Sequence, residues 1–404
     1  MHALTTGMAV TRRDLLACAH VGQAQRVTHI TSKDDHLRAL VERMIWVSLE
    51  GLPLMFRPQE HAFAYTRKLG ANGSLRLSGT SLRYSAIVLL GAHGLDEDLQ
   101  RSLLGGESAR EFCTRLAQEA LKSSNLGAVA LVVWAGAEIA HELLPVVLAR
   151  LAQVAERDQG HSTVEWAWVV SALAAARREA VAPGLAAHAA AKLLAAFSPE
   201  AGIFPHRLSG APTSARSHVA CFADQVYPIQ ALTRHHVAYR SSSALDAADR
   251  CAEQICRAQG EAGQWWWHYD VRTGQVIEGY PVYSVHQDGM GPMALLDLAE
   301  AGGGDHSEAV GLGLRWLEIA PEVGRSLIDE QHAIIWRKVG RTDPRKLVRG
   351  MRAFASRTRP GLRVPLLDAA FPARQIDFES RPYELGWVLH AWLNGLGRCS
   401  ERET

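Results

Sequence analysis

Apolar residues recur at three- and four-residue spacing through most of the chain, and clusters of Gly, Pro and Ser separate the periodic stretches, a pattern that predicts helices joined by turns. Two kinds of helix alternate. The stretches from Asp34, Glu107, His141, Gly184, Ser243 and Asp305 carry a charged face and are expected to lie with one side in water. Those from Ser81, Asn125, Val164, Phe222, Gln287 and Arg381 are apolar nearly all round and need neighbours on every side. Such repeats can stack into an open solenoid. Six of each kind in strict alternation instead predict a closed all-α fold, an (α/α)6 toroid with an inner ring of buried helices and an outer ring of amphipathic ones, each pair a divergent repeat of ~40–60 residues. The expected organisation is an N-terminal extension over 1–33 and a single toroid domain over 34–398, with a long insertion around 324–380.

In such a ring the residues just before each inner helix gather at one end of the central cavity. Arg83, Tyr84, Glu165, Trp166, His206, His218, Asp224, Gln225 and Tyr227 fall there. So do the loop residues Trp265, Trp266, Trp267, His268, Asp270, Tyr280, Tyr283, His286, Gln287 and Asp288, and then Asp377, Glu379, Arg381, Tyr383 and Glu384. Flat aromatic faces stack on the C–H faces of pyranoses, and carboxylates and Arg bind hydroxyl or carboxylate groups bidentately. A glycan therefore fits this inventory better than a small metabolite. Plainer roles stand beside these. Trp265, Trp266 and Trp267 are consecutive and cannot all face one way, so at least one packs between helices. Asp288 can cap its helix, and Glu379 with Arg381 can be a surface ion pair.

Composition narrows the field. The chain has 404 residues, 48% hydrophobic and 21% charged, with 43 basic against 42 acidic side chains. No global field draws nucleic acid or an anionic membrane. Six scattered cysteines without a CxxC pair suggest a reducing, cytoplasmic setting and lack metal-ligand spacing, so no metal is expected. The stretch Thr11–Ala19 (TRRDLLACA) imitates a twin-arginine or lipoprotein signal, but its apolar run is interrupted at His20 and Gln23 and reads as a short helix. No run approaches the ~20 apolar residues of a membrane span. Without GxxxxGK[ST], GxSxG or HExxH, no nucleotide or other cofactor is indicated. Oligomeric state is not legible.

Two resemblances follow from these residues. Ile255, Gln259, Gly263 and Trp265 have the spacing [LIV]-x3-Q-x3-G-x-W, which is similar to the QW repeat of squalene-hopene and related triterpene cyclases. There the Gln caps a helix and stacks on the Trp. The match occurs once, and the DxDD acid of that family is absent. The segment from Gly263 to Gly302 resembles in layout the sugar-active toroids: unsaturated glucuronyl hydrolases, N-acylglucosamine 2-epimerases, and the helical domains of glucuronyl C5-epimerases and polysaccharide lyases. That resemblance implies an enzyme acting on a glycan or uronate-containing oligosaccharide.

Lyase or C5-epimerase chemistry needs a base (His286 or Tyr227), an acid (Tyr283 or Tyr383) and a cation for the carboxylate (Arg381 or Arg83). Hydrolysis needs two carboxylates about 5–5.5 Å or 6.5–9.5 Å apart, for which Asp288 and Glu379 are the candidates. Trp265, Trp266, Trp267, His268, Asp224, Gln287 and Tyr280 complete the expected binding set. The alternative is a terpene-cyclase-like protein or a non-catalytic toroid that binds glycan or lipid.

Overall fold

Short polar side chains start the helices where the pattern places them. Asp34 accepts the Leu37 amide (2.8 Å), Asn125 the Ala128 amide (2.8 Å), and Ser108 and Ser162 each form a capping box with a glutamate three residues on, satisfying donors that a helix start leaves open. The computed structural model describes residues 11–396 except 33, 158–159, 209–215, 344–345 and 363. After α1 (Arg12–Cys18) and α2 (Gln25–Thr31), outer α3 (Asp35–Gly51) leads to inner α4 (Leu82–Ala92). Past a short α5 (Glu97–Leu103) come outer α6 (Ala109–Lys122) and inner α7 (Leu126–Glu138), then outer α8 (Leu144–Glu156) and inner α9 (Thr163–Ala175). Outer α10 (Ala182–Ala196) and inner α11 (Ala223–Tyr239) precede outer α12 (Ser242–Arg257) and inner α13 (Gly291–Glu300). Outer α14 (Ser307–Glu318) is followed by α15 (Leu347–Thr358) and α16 (Pro365–Ala370) within the long connection, and inner α17 (Pro382–Leu393) completes the set.

The inner helices pack in sequence, α4 on α7, α7 on α9, α9 on α11, α11 on α13 and α13 on α17, and α17 returns to α4. The fold is thus the all-α toroid of six inner and six outer helices. Every residue of α7 except Ala137 is buried, whereas α12 buries a single stripe, Ala244, Ala247, Ala248, Cys251, Ala252 and Ile255. The segment Thr11–Ala19 forms the short helix α1, with Thr11 and Asp14 as its capping box. No helix among the described residues is long and apolar enough to cross a membrane.

Closure depends on glycine. A Cβ on Gly91 of α4 would lie 2.5 Å from the carbonyl oxygen of Gly386 in α17, and one on Gly386 would lie 3.0 Å from that of Ile87. Backbone meets backbone there and neither side can rotate away. Gly91→Ala is expected to destabilise by about 1–3 kcal/mol despite alanine's better helix propensity. Gly184→Ala in α10, whose Cβ meets nothing within 4 Å, should be neutral or slightly stabilising. Denaturant midpoints of the two variants check the contrast.

Short strands, which the helical pattern does not announce, hold the connections. Ala62–Leu69 and Leu75–Thr80 form a hairpin, and Glu379–Ser380 adds to its edge opposite Lys68 and Arg67. Val219–Cys221 pairs with His268–Asp270, and Val282–Tyr283 pairs with Lys338–Val339. These pairings draw the insertion and the tryptophan loop over the N-terminal ends of the inner helices. At the opposite end a buried ionic cluster fills the ring. Arg234 of α11 bonds Asp297 of α13 (2.9 Å) and Glu138 of α7 (3.1 Å), while Arg26 of α2 pairs with Asp297 and with Glu300 (2.5 Å) and donates to Ala391 O (2.9 Å).

Candidate functional site

A cavity of about 280 Å3 opens where the N-terminal ends of the inner helices converge. Its aromatic wall is built by Tyr84 of α4, Trp168 of α9, Tyr227 of α11, Tyr383 of α17, and Trp267 and Tyr283 from the connection before α13. Arg83 and Arg337 supply its positive charge and His286 its imidazole. No Asp or Glu lines it among the described residues. A second cavity of about 310 Å3 lies at the C-terminal ends of α7 and α9, beside Glu138, His141 and Arg177, and holds none of the residues expected from sequence.

Each cation is held by acids set back from the cavity. Arg83 bonds Glu165 (2.6 Å) and Asn125 Oδ1 (2.8 Å), and Arg337 bonds Glu379 (3.2 Å). The Glu165 carboxyl sits below its ordinary range, because the Ser162 backbone bond and Arg83 outweigh a burial that alone would raise it. Arg337 also lies over the Tyr283 ring, 5.4 Å from its centroid. Arg381 is outside the lining. It bonds Glu379 (2.6 Å) and the hydroxyls of Tyr65 (3.1 Å) and Tyr84 (2.8 Å), so it orients a wall residue.

His286 opens a π-helical turn, His286–Met290, that leads into α13, an irregularity found often at functional sites. Its ring packs against Phe222 (4.6 Å) and Tyr283 (5.1 Å). Burial depresses it to a pKa of about 3 against a partial restoring bond from the Trp265 backbone, so the imidazole is neutral. Nδ1 is closed to solvent and has no partner. Tyr227 and Tyr283 are both pushed above the usual phenol range by burial, and Tyr227 Oη accepts from Trp387 Nε1 (2.9 Å).

Behind the lining lies an acid pair. Asp288, in the π turn, and Glu384, in the first turn of α17, are both fully buried. None of their four carboxyl oxygens is hydrogen-bonded, the nearby Ser284 hydroxyl being committed to Trp336 O (2.5 Å). Burial raises both groups and the charge of Glu384 raises Asp288 further; Glu384 reaches about 8, with the charges of Arg337 and Arg381 opposing the shift. Between the ordinary 4.5 and about 8 the folded protein holds a proton on Glu384 that the unfolded chain releases. Stability therefore falls as pH rises through that window. Glu384→Gln should shrink that slope and leave the variant more stable than the wild type at pH 8, measured by urea unfolding across the pH range.

Of the residues proposed from sequence, His286, Tyr227, Tyr283, Tyr383, Trp267, Arg83 and Tyr84 line one cavity. Glu379, Arg381 and Asp288 stand one layer back. The rest serve the frame. Trp265 is fully buried against Phe222 (5.4 Å), and Trp266 packs on Tyr280 (5.7 Å). Gln287 accepts the Trp265 amide (3.2 Å), and the Tyr280 hydroxyl bonds Glu322 (2.8 Å). His268 is buried beneath Trp267, their rings stacked at 3.9 Å. Asp224 accepts the Cys221 amide (2.8 Å) and lies 3.1 Å from His206 Nδ1. Gln259 ties the end of α12 to its neighbour by donating to Gly263 O and Ala309 O, both at 2.9 Å. Sequence reasoning missed Trp168 and Arg337. Trp168 was within reach, four residues after Val164 and so on the same helical face. Arg337 had no local signal, since the pairing of Lys338–Val339 with Val282–Tyr283 brings it in.

No family model and no curated protein matches the sequence. Solved structures share the fold. The chain is similar to an unsaturated glucuronyl hydrolase specific for heparin, at 14% identity and a TM-score of 0.57 over 92% of this chain and 98% of that one. It is similar to the unsaturated glucuronyl hydrolase of Bacillus sp. GL1, responsible for glycosaminoglycan degradation, at 13% identity and a TM-score of 0.53 over 88% and 96%. It is also similar to a sugar epimerase from a ruminal bacterium, at 9% identity and a TM-score of 0.57 over 91% and 98%.

Proposed function

We propose that this protein is a carbohydrate-active enzyme whose mouth cavity takes a uronate ring of an oligosaccharide and moves the proton on the carbon beside its carboxylate, as lyases and 5-epimerases do. The observation that carries this reading is the composition of the lining: two arginines, a neutral histidine and tyrosines on aromatic walls, with no carboxylate among the described lining residues. Hydrolysis by two flanking carboxylates finds no such pair on that surface. The fold neighbours named for glucuronyl and epimerase activities support the same class of ligand.

The chemistry follows from the charges. A uronate carboxylate between Arg83 and Arg337 loses part of its negative character, which acidifies C5–H. In the working tautomer of His286 the buried Nδ1 carries the proton and the Nε2 lone pair is presented to C5–H. The bound anion raises the histidine pKa towards the range where a base is effective. Tyr283, kept protonated by burial, supplies the acid. In elimination it protonates the departing glycosidic oxygen as C4–O breaks and C4=C5 forms; in epimerisation it returns a proton to the other face of C5.

A panel of uronate oligosaccharides incubated in D2O tests this. Deuterium at C5, or the ultraviolet absorbance of a conjugated unsaturated uronate, is the expected result. New reducing ends without C5 exchange, or no turnover of any polymer, would overturn it.

A further inference from the structure

We propose that His206, Cys221 and Asp224 form a binding site for a divalent transition metal of the zinc class, at the rim beside the cavity. One ligand atom from each, imidazole nitrogen, thiol sulfur and carboxylate oxygen, lies within 4.8 Å of the others. The three come from separate elements: the connection after α10, the strand Val219–Cys221, and the first turn of α11. Imidazole, thiolate and carboxylate together are the donor chemistry that zinc accepts.

The geometry is close to a coordination shell. With Zn–N and Zn–O near 2.0–2.1 Å and Zn–S near 2.3 Å, tetrahedral edges are roughly 3.3 Å for N to O and 3.6 Å for either to sulfur. His206 Nδ1 is 3.2 Å from Asp224 Oδ1 and 3.1 Å from Oδ2, so that edge is already formed. The Cys221 amide donates to Oδ2 at 2.8 Å, which orients the fully buried carboxylate and leaves Oδ1 for the metal. Such outer bonds set the aim of a ligand. From a separation within 4.8 Å to an edge of roughly 3.6 Å the sulfur closes a gap of up to about 1.2 Å, and it gives its thiol proton to solvent as the metal–sulfur bond forms.

The His206 side chain is 53% exposed while that of Asp224 is fully buried, so the fourth position faces the rim and takes water. His206 O accepts the Thr163 amide (3.0 Å) at the start of α9, and Ala223, beside Asp224, lines the cavity. A bound ion therefore clamps the starts of α9 and α11 together at the mouth.

The full-length protein, treated with chelator and titrated with Co2+, tests the site without any saccharide, so its outcome is separate from that of the uronate reading. Saturable 1:1 binding with tetrahedral d–d bands and a thiolate-to-cobalt charge-transfer band is expected, displaced by Zn2+. Cys221→Ser should abolish the charge-transfer band and His206→Ala should weaken binding at least about tenfold, while Cys256→Ser leaves both unchanged. Circular dichroism of the metal-free variants controls for folding. Should Cys221→Ser not fold, wild-type protein gives a second readout, Zn2+ protecting Cys221 from alkylation as mapped by mass spectrometry. Absence of saturable binding, a band that survives Cys221→Ser, or alkylation of Cys221 unchanged by Zn2+ would overturn the proposal.

Discussion

His286→Ala is expected to lower turnover of a uronate substrate by ~10²–10⁴, the usual contribution of a positioned base, while the fold persists. The ring stands between Phe222 and Tyr283, so its loss leaves a small cavity and some stability is also lost. Substrate-free unfolding separates the two effects. The pH profile carries the sharper signature. A base must be unprotonated to act, and burial depresses His286 to about 3, so kcat/KM should stay flat as pH falls through 6.5 and decline only where the protein begins to unfold. An acidic limb near 6.5 that disappears in His286→Ala would mean that the imidazole is solvated, and the desolvated site described above would be wrong. Stability has a related sign. The unfolded chain takes up a proton on His286 near its ordinary 6.5 and the folded protein does not until about 3, so this group contributes stability above 6.5 that is lost as pH falls.

The other large effect is structural. Asp297→Ala should destabilise by ~3–5 kcal/mol, since it leaves two buried guanidinium groups without their shared partner. Burial alone would raise the Asp297 carboxyl, but Arg234 and Arg26 outweigh it and hold the group below its ordinary value. Replacement of an exposed acid such as Glu142, whose partner Arg110 is also exposed, should change stability by ~0–1 kcal/mol. Equilibrium unfolding in urea compares the two. An Asp297→Ala midpoint within error of the Glu142→Ala midpoint would show that the ionic cluster at the C-terminal ends of the inner helices does not hold them together. Arg26 belongs to α2, ahead of the ring, so Arg26→Met, which removes its charge while filling similar space, should separate the cost of the arginine from that of the aspartate.

The architecture was legible because helix burial is periodic and local. α7 is apolar on all sides and α12 on one stripe, and that difference is written residue by residue in the chain. The starts of α4, α7 and α9 were legible for the same reason, since Ser81, Asn125 and Ser162 cap them, whereas α11, the turn before α13 and α17 begin without a side-chain cap. The tryptophan run was only partly legible. Its composition marked an unusual loop, yet which ring faces the cavity depends on strand register, and only Trp267 does.

Periodicity and a count of six helix pairs thus carry the helices and which of them are inner and outer, because both depend on contacts within a few residues, whereas closure of the ring is made by α4 meeting α17 from opposite ends of the chain. The identity of the lining and the protonation of Asp288 and Glu384 depend on partners far along the chain, as does the meeting of His206 with Cys221 and Asp224. Burial and electric field belong to a position in space, and nothing in the local pattern around Arg337 or Glu384 encodes which distant side chains will surround them.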